Sequence, residues 1–305
     1  MLHRHPVEVV APATSANLGP GFDSLGLALS LYDRLRVQVL DTGLQVEVEG
    51  VCADDVPRDE GHLVVRAMRA AFAQMELNPP GLSLHCDNGI PHGRGLGSSA
   101  AAIVGGIVAA RALVEDGSDR LPDAAVLELA AGMEGHPDNV AACLLGGLTV
   151  AWSDDRTTAG RAIRLDADVR AVALVPEEPV STRIARALLP PSVAHGAAAA
   201  NAGRSALLVA ALSGEPALRT SEVLSAATRD WLHQDSRGSA MPCSLQLVTR
   251  LRGRGHAAVV SGAGPSVLVL LAPDGDADDV CRELPEGWHC HLLDVDQRGA
   301  RVVSA

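Results

Sequence analysis

A run of glycines and serines, Gly93-Arg-Gly-Leu-Gly-Ser-Ser99, has the residue types of a phosphate-binding loop. Before it, Leu82, Leu84 and Cys86 alternate with polar residues, which predicts a strand. After it, the apolar residues follow the spacing of a helix. Glycines allow backbone conformations closed to other residues, and the free amides at a helix N-terminus attract anions. The pattern predicts a strand-to-helix loop that holds a phosphate.

Two common nucleotide-binding patterns do not fit this loop. A P-loop requires a lysine, and all 25 basic residues of the chain are arginines. The dinucleotide fingerprint requires G-x-G-x-x-G, and Gly93-Arg-Gly-Leu-Gly97 breaks that spacing. Taken alone, the loop leaves open one further alternative, a surface turn with a serine cap.

A second cluster able to do chemistry is Met133-Glu-Gly-His-Pro-Asp-Asn-Val140. Its Glu134, His136 and Asp138 do not have the spacing of a zinc signature such as H-E-x-x-H. A carboxylate beside a triphosphate is better suited to Mg²⁺, which prefers hard oxygen ligands. The cluster therefore favours magnesium over a transition metal.

The composition limits which partners are plausible. A net charge of −12 argues against nucleic acid or an anionic membrane as the main partner, although a local cluster can still bind a nucleotide. The sequence has neither an apolar signal core nor a run long enough to span a membrane, so we expect a cytoplasmic protein. The six cysteines form no C-x-x-C pair and predict reduced, mostly buried thiols.

The spacing of apolar residues predicts the elements that must position these groups. Leu35–Val39 and Leu44–Val48 alternate around a turn at 41–43 and predict a hairpin. Residues 62–75 and the segment from Pro122 to about Gly132 predict helices. Polar residues 153–168 predict a domain boundary, and the chain beyond them predicts the β-α-β-β-α-β order of a ferredoxin-like domain.

Three motifs, in order along nearly the whole chain, resemble those of the GHMP kinases (galactokinase, homoserine kinase, mevalonate kinase and phosphomevalonate kinase). They are Pro12–Asp23, Pro91–Ala101 (matching P-x-x-x-G-L-G-S-S-A) and Ser261–Ser266. The resemblance implies an α+β, two-domain GHMP kinase fold. Residues 1–160 would form an ATP-binding, ribosomal protein S5 domain 2-like N-terminal domain, and residues 161–305 a ferredoxin-like C-terminal domain.

The resemblance also implies the cofactors ATP and Mg²⁺. Ser98 and Glu134 would hold the magnesium ion. His62 stands where relatives commonly have an Asn that touches the nucleotide base. The residues implied for nucleotide binding are Pro91, His92, Gly93, Arg94, Gly95, Leu96, Gly97, Ser98, Ser99, Ala100, Ala101, Gly262 and Gly264.

Within that family, several segments are most similar to homoserine kinases. They carry P-A-T-S-A-N-L-G-x-G-F-D, E-G-H-P-D-N, S-T-x-x-A-R and the stretch Leu232–Arg237, in which Ser236 replaces a frequent Tyr. The similarity implies L-homoserine as substrate, with arginines clamping its carboxylate. The implied substrate-binding residues are Asn17, Asp23, His136, Asn139, Arg186 and Arg237, and the implied catalytic residues are Asn17, Asn139, Thr182 and Arg186.

The reaction implied is ATP-dependent phosphorylation of the L-homoserine side-chain hydroxyl to O-phospho-L-homoserine, by a homodimer. Two alternatives stay open: another small-alcohol GHMP kinase, or a nucleotide-binding regulatory module that has lost catalysis. Without lysine, the Asp–Lys pair that some GHMP kinases use is excluded. We therefore expect no strong general base, with Asp138 or Asp23 as the fallback.

Overall fold

The computed structural model describes residues 1–154, 157–165, 169–214, 216–273 and 275–304. Within those ranges the strands, in chain order, are β1 Val7–Asn17, β2 Gly21–Leu40, β3 Gly43–Gly50, β4 Gly81–Asn88, β5 Leu148–Ser153, β6 Thr158–Ile163, β7 Arg170–Pro176, β8 Ala257–Val260, β9 Val267–Leu271, β10 Trp288–Asp294 and β11 Arg301–Ser304.

The helices of the same ranges are α1 Leu63–Gln74, α2 Ser98–Ala112, α3 Gly117–Arg120, α4 Asp123–Glu134, α5 Asp138–Leu145, α6 Thr182–Ala187, α7 His195–Leu212, α8 Ser221–Ala227, α9 Pro242–Gly253 and α10 Ala277–Cys281. Short 3₁₀ turns occupy Ala53–Asp55, Pro216–Leu218 and Asp235–Ala240. The predicted helices at 62–75 and after Pro122 are confirmed.

The larger sheet has the strand order β11-β1-β2-β4-β3, and β5 and β6 extend from β2. Its 20-residue strand β2 pairs with β4 through its second half and with β5 near its start. Helix α2 packs against α1 and β1, and residues from Ile103 to Ala110 are all buried. A helix that is apolar on every side belongs inside a core, which fixes the loop before it.

The predicted hairpin of Leu35–Val39 with Leu44–Val48 is wrong, because β4 lies between the two strands. Val37 of β2 faces Leu84 in an antiparallel pair, and Leu44 of β3 pairs in parallel with Leu82. Strand β4 buries its alternate residues Leu82, Leu84 and Cys86, whereas β3 buries only Val48. The more apolar strand takes the central position, and the more polar one takes the edge.

The smaller sheet has the strand order β10-β7-β9-β8, with every pair antiparallel. If these four strands are numbered one to four along the chain, their order across the sheet is four, one, three, two. This is the order of a ferredoxin-like domain, so that prediction is confirmed. Val172 and Leu174 point to the face that carries α9 and α10, whereas Ala171 and Ala173 join the main core on the opposite face. Strands β7, β8 and β9 are therefore buried on both faces, which fits their nearly continuous apolar residues, whereas the edge strand β10 buries only Leu293.

The segment expected to separate the domains, 153–168, contains a strand. Its β6 pairs with β5 in the larger sheet, and residues 155–156 and 166–168 lie outside the described residues. The C-terminal strand β11 returns to the same sheet and pairs with β1. A boundary at residues 160 and 161 stays a prediction.

The cysteines differ from the expectation of reduced thiols in one place. Cys281, at the end of α10, and Cys290, in β10, form a disulfide with their Cα atoms 5.9 Å apart. The expectation was wrong because the turn after α10 brings the two residues together, which sequence spacing does not reveal. Cys86 and Cys143 are buried, as expected, whereas Cys243 is exposed.

Across the described ranges, no helix is both long and apolar enough to cross a bilayer.

Candidate active site

The glycine-rich loop connects β4 to α2, as the sequence predicts. Gly93, Gly95 and Gly97 have φ values of 67°, 72° and 70°, a region that residues with a Cβ rarely adopt. A Cβ on Gly95 would meet the carbonyl oxygens of Ser261 and Gly264, and one on Gly97 would meet the Thr14 side chain. These glycines are therefore required both for the turn and for its close contacts.

The segment 261–264 closes over this loop from the smaller sheet. The Ser261 hydroxyl donates to the Gly95 carbonyl at 2.6 Å, and the Gly262 amide donates to the Ala16 carbonyl at 3.1 Å. Gly264, with φ of 85°, packs where a Cβ would collide with Met241. The three motifs of the sequence analysis, which are far apart along the chain, therefore meet at one place.

A cavity lies where these segments meet. Leu96, Ala100 and Ala101 are buried in the core, so only their backbone could face a nucleotide. The Arg94 guanidinium donates to the backbone carbonyls of His92 and Glu177. The cavity is lined by Ala16, Asn17, Gly93, Gly95, Gly97, Ser98, Ser99, Glu134, His136, Asp138, Asn139, Thr182, Arg186, Arg237, Gly262 and Ala263.

The Glu134 carboxylate lies at the end of α4, opposite the start of α2. Its side chain is 10% exposed, and its Oε1 accepts a hydrogen bond of 2.6 Å from the Ser99 hydroxyl. The expectation paired Glu134 with Ser98, which lines the same cavity. Among the described residues no group of three or more His, Cys, Asp or Glu side chains has the arrangement of a metal site. One carboxylate with two hydroxyls beside a phosphate loop fits Mg²⁺, which takes its remaining ligands from phosphate and water.

His136, Asp138 and Asn139 form a hydrogen-bonded group at the start of α5. Asp138 Oδ1 lies 2.7 Å from His136 Nδ1 and accepts a hydrogen bond of 2.7 Å from the Asn139 backbone N–H. The Thr14 hydroxyl donates to Asn139 Oδ1 at 2.7 Å. Burial opposes a charge on His136, but the hydrogen bond and attraction to Asp138, with further attraction to Glu134, raise its pKa. This group links the cavity wall to β1.

Asp23 and Arg186 form an ion pair beside the cavity, whose lining includes Arg186 but not Asp23. Arg186 donates to the two carboxylate oxygens of Asp23 at 2.5 and 3.2 Å. Asn17 Oδ1 accepts from the Asp23 amide at 3.0 Å, and Asn17 Nδ2 donates to the Gly262 carbonyl at 2.9 Å. Asn17, Leu18 and Asp23 have φ values of 68°, 48° and 53°. Such backbone conformations cost free energy in non-glycine residues and are concentrated at functional sites.

Sequence reasoning missed Phe22, which lies between the two arginines. Its ring centroid is 5.7 Å from the Arg186 Cζ and 5.5 Å from the Arg237 Cζ. Arg237 is 1% exposed, and burial together with repulsion from Arg186 lowers its pKa. The signal that could have found Phe22 is compositional, since the chain has only two phenylalanines and this one precedes Asp23.

A second cavity adjoins the first on the other side of Ser98 and Ser99. Its wall is mostly apolar and includes Leu35, Val56, Pro57, Leu63, Val64 and Ala102 together with Asp33, His62, Asn88 and His92. His62 is buried, and within the described part of the chain its Nδ1 has no hydrogen-bond partner. Burial and the neighbouring His92 lower the pKa of His62.

Asp33 anchors the start of the phosphate loop. Its Oδ1 accepts from the amides of Gly89 and Ile90, each at 2.9 Å. Burial raises the pKa of its carboxyl from 3.8 to about 6, against the effect of those amides. The folded chain therefore binds more protons than the unfolded chain between these two pH values, so Asp33 makes the free energy of unfolding fall as pH rises through that window.

We expect Asp33→Asn to remove this dependence of stability on pH, because the Asn side chain does not titrate. Its amide oxygen can still accept hydrogen bonds from the backbone amides of Gly89 and Ile90. At neutral pH the variant should be more stable than the parent by on the order of 2 kcal/mol, and the difference should narrow towards about pH 4. Urea unfolding at a series of pH values measures it, with exposed Asp119→Asn as the matched control. A difference that stays constant over the series would contradict the assignment.

Two family models match this chain, one in each half. The family model for the GHMP kinases N terminal domain matches residues 62–147, which include the phosphate loop and Glu134. The model for the GHMP kinases C terminal matches residues 215–290, which include Arg237 and the segment 261–264. Both halves of the fold therefore carry the family pattern.

Individual proteins give a finer match. The homoserine kinase of Streptomyces avermitilis is 54% identical, covering 97% of this chain and 95% of its own. That of Streptomyces coelicolor is 54% identical, covering 97% and 94%. The crystal structure of homoserine kinase from Cytophaga hutchinsonii superposes with a TM-score of 0.84 at 26% identity, covering 98% and 97%. Such identity over nearly the full length, with both family models matched in order, means that the chain belongs to the homoserine kinases of the GHMP kinase family.

Proposed function

We propose that this chain transfers the γ-phosphoryl group of ATP to the side-chain hydroxyl of L-homoserine, giving O-phospho-L-homoserine and ADP. The observation that carries the proposal is the Asp23–Arg186 ion pair beside a cavity lined by a phosphate-type loop. A carboxylate and a guanidinium side by side complement the ammonium and carboxylate of a free amino acid. The names of the relatives point to the same substrate.

The triphosphate of ATP would lie against the amides of the loop 93–99 and the N-terminus of α2. Unpaired amides and the helix dipole favour a negative charge there. Glu134, with Ser98 and Ser99, would hold Mg²⁺, which supplies charge neutralisation between phosphate oxygens. The adjoining cavity, whose wall is mostly apolar, would hold the nucleotide base, with the His62 ring on its wall.

The amino-acid end of the substrate would enter between Asp23 and Arg186. In this structure the Asp23 carboxylate takes both N–H groups on the face of Arg186 that a substrate carboxylate would use. The substrate brings one charge of each sign, so it can separate the pair without leaving either side chain uncompensated. Arg237, behind the Phe22 ring, would supply the second cation.

The carboxylates near the cavity are poorly placed to act as a strong general base. Asp138 already binds His136 and the Asn139 amide, and Asp23 is paired with Arg186. Positioning and charge neutralisation dominate phosphoryl transfer, so the hydroxyl proton can leave late, to phosphate or water. Asn17, Asn139 and Thr182 would then orient the hydroxyl rather than deprotonate it.

We expect Asp138→Asn to leave kcat within about threefold of the parent, because it removes no proton acceptor that the reaction needs, and Thr182→Ala to lose about tenfold or less, because it removes only an orienting contact. Loss of a true general base would cost about a hundredfold or more. Steady-state kinetics at saturating MgATP measures the effect. A loss of that larger size in Asp138→Asn would identify its carboxylate as the base and contradict this account.

The substrate is tested by ADP release with MgATP and one acceptor at a time: L-homoserine, L-threonine, L-serine, mevalonate or galactose. Strong turnover with L-homoserine and weak turnover with the others is the expected result. Turnover with a different alcohol would retain a kinase but overturn the assigned substrate. ATP binding without turnover on any acceptor would favour a regulatory module.

A further inference from the structure

Among the described residues, the buried guanidinium of Arg237 has few hydrogen-bond partners besides its contact with the Phe22 ring. Its Nη1 donates to the Gly262 carbonyl and to His233 Nδ1, each at 3.1 Å. In the described part of the chain, its Nε has no hydrogen-bond partner. The desolvation of a buried charge is offset only by the contacts that it makes, so each of these two bonds strongly affects where the guanidinium lies.

The tautomer of His233 follows from its other neighbour. His233 Nε2 lies 2.8 Å from the Gly19 carbonyl oxygen, which can only accept a hydrogen bond. The proton is therefore on Nε2, and the lone pair of Nδ1 faces Arg237. The His233 ring is fully buried, so no water competes for either nitrogen.

Burial favours the neutral form of His233, and the surrounding charges act in both directions. From its own segment it faces Arg237 and Asp230, whose Oδ1 is 3.6 Å from Nε2. From the start of β2 it faces Asp23 and the Phe22 ring, whose centroid is 5.1 Å away. Burial lowers the pKa of His233, and repulsion from Arg237 lowers it further, against the attraction of the two aspartates. A protonated ring would lose its acceptor and repel Arg237.

We propose that His233 is a positioning residue for the acceptor site. Its Nδ1 holds the Arg237 guanidinium against the Gly262 carbonyl, so that the remaining N–H groups face the cavity and the carboxylate of the substrate. The inference rests on the proposed function, since the substrate carboxylate is what Arg237 binds. It gives the imidazole a role in substrate affinity and none in the transfer of the phosphoryl group.

Two substitutions of His233 distinguish the role of Nδ1 from that of Nε2. Asn carries its amide oxygen at about the position of Nδ1, so His233→Asn keeps the acceptor for Arg237. Gln carries its amide at about the position of Nε2, so His233→Gln keeps the bond to Gly19 and removes that acceptor. We expect His233→Gln to raise the KM for L-homoserine about tenfold or more, with kcat and the KM for ATP within about threefold. His233→Asn should stay within about threefold of the parent for all three parameters.

Gln234→Leu is the matched control for damage to the segment. Gln234 Oε1 accepts from the Val260 backbone amide at 2.6 Å, and Gln234 bonds to Arg237 through backbone atoms, which the substitution keeps. This variant should lower Tm without raising the KM for L-homoserine. An equal rise in KM for Gln234→Leu and His233→Gln, equal values for the Asn and Gln variants, or an unchanged KM in His233→Gln would each overturn the proposal.

The pH dependence of the KM for L-homoserine is a further test, because a purely structural role of His233 would not affect it. In the parent, the KM for L-homoserine should rise only at pH well below the ordinary imidazole pKa of about 6.5, because burial lowers the pKa of His233 and its protonation removes the acceptor. His233→Asn should lack that rise, whereas titration of His136 affects parent and variant alike. An acid rise that is no larger in the parent than in His233→Asn would overturn the proposal.

Nitrogen NMR of labelled histidine in the parent protein needs no variant to fold. A neutral His233 ring protonated on Nε2 at neutral pH supports the proposal, and a proton on Nδ1 overturns it. Failure of the proposed function is distinguishable, since the parent would then show no turnover of L-homoserine. Turnover in the parent with unaltered kinetics in His233→Gln would overturn only the role of His233.

Discussion

Glu134→Gln is expected to lower kcat by about a thousandfold or more at saturating ATP, with little change in Tm. The carboxylate is 10% exposed and is held by Ser99 at 2.6 Å, at the rim of the phosphate loop. Gln has nearly the same shape and can still accept from the Ser99 hydroxyl. It lacks the negative charge that Mg²⁺ requires from the protein.

The dependence of activity on Mg²⁺ concentration distinguishes the loss of a metal ligand from a change in the shape of the site. The variant should need a much higher Mg²⁺ concentration for half-maximal activity while binding metal-free ATP as the parent does. Glu128→Gln, at an exposed position on the same helix α4, is the matched control and should behave as the parent does. Ser99→Ala should give a smaller loss of about tenfold, since it removes a hydroxyl but no charge. A kcat for Glu134→Gln within about tenfold of the parent would contradict the assignment.

The second large effect concerns the Asp23–Arg186 pair. We expect Arg186→Ala and Asp23→Asn each to lower kcat/KM for L-homoserine by about a hundredfold or more, because each leaves the other charge of a half-buried pair uncompensated. The KM for ATP should change little, since the two side chains hydrogen-bond to each other rather than to the glycine-rich loop. Arg183→Ala, an exposed arginine of the same helix α6, is the matched control.

Substrates that lack one charged group test which group Arg186 binds and which group Asp23 binds. Propanolamine is L-homoserine without its carboxylate, and γ-hydroxybutyrate is L-homoserine without its ammonium group. Arg186→Ala should abolish the preference for L-homoserine over propanolamine, and Asp23→Asn should abolish the preference over γ-hydroxybutyrate. A preference that survives both substitutions would show that the ion pair does not read the substrate.

The sequence predicted the parts of this site whose structure is local. The loop 93–99 depends on glycines that must adopt positive φ, and that requirement is written in the residue types themselves. The ferredoxin-like order also follows from the pattern, because each strand alternates or runs apolar between clear breakers. These predictions needed no information about which element touches which.

The parts that sequence could not predict depend on contacts between distant segments. Strand β3 could pair with β2 across a short turn, and only the burial of β4 decides that β4 separates them. Neighbouring residues on a helix point about 100° apart, so the motif could not tell whether Ser98 or Ser99 faces Glu134 on another helix. Phe22, Asp33 and His233 contribute through spatial neighbours, and their own motifs gave no sign of it.

The reaction expected of this protein is transfer of the phosphoryl group from ATP to the L-homoserine hydroxyl. Phosphorus NMR of a reaction containing the purified protein, MgATP and L-homoserine tests it most directly, because it identifies the products. The account predicts ADP and a phosphate monoester of L-homoserine in equal amounts. ADP with inorganic phosphate alone, or no consumption of ATP, would contradict it.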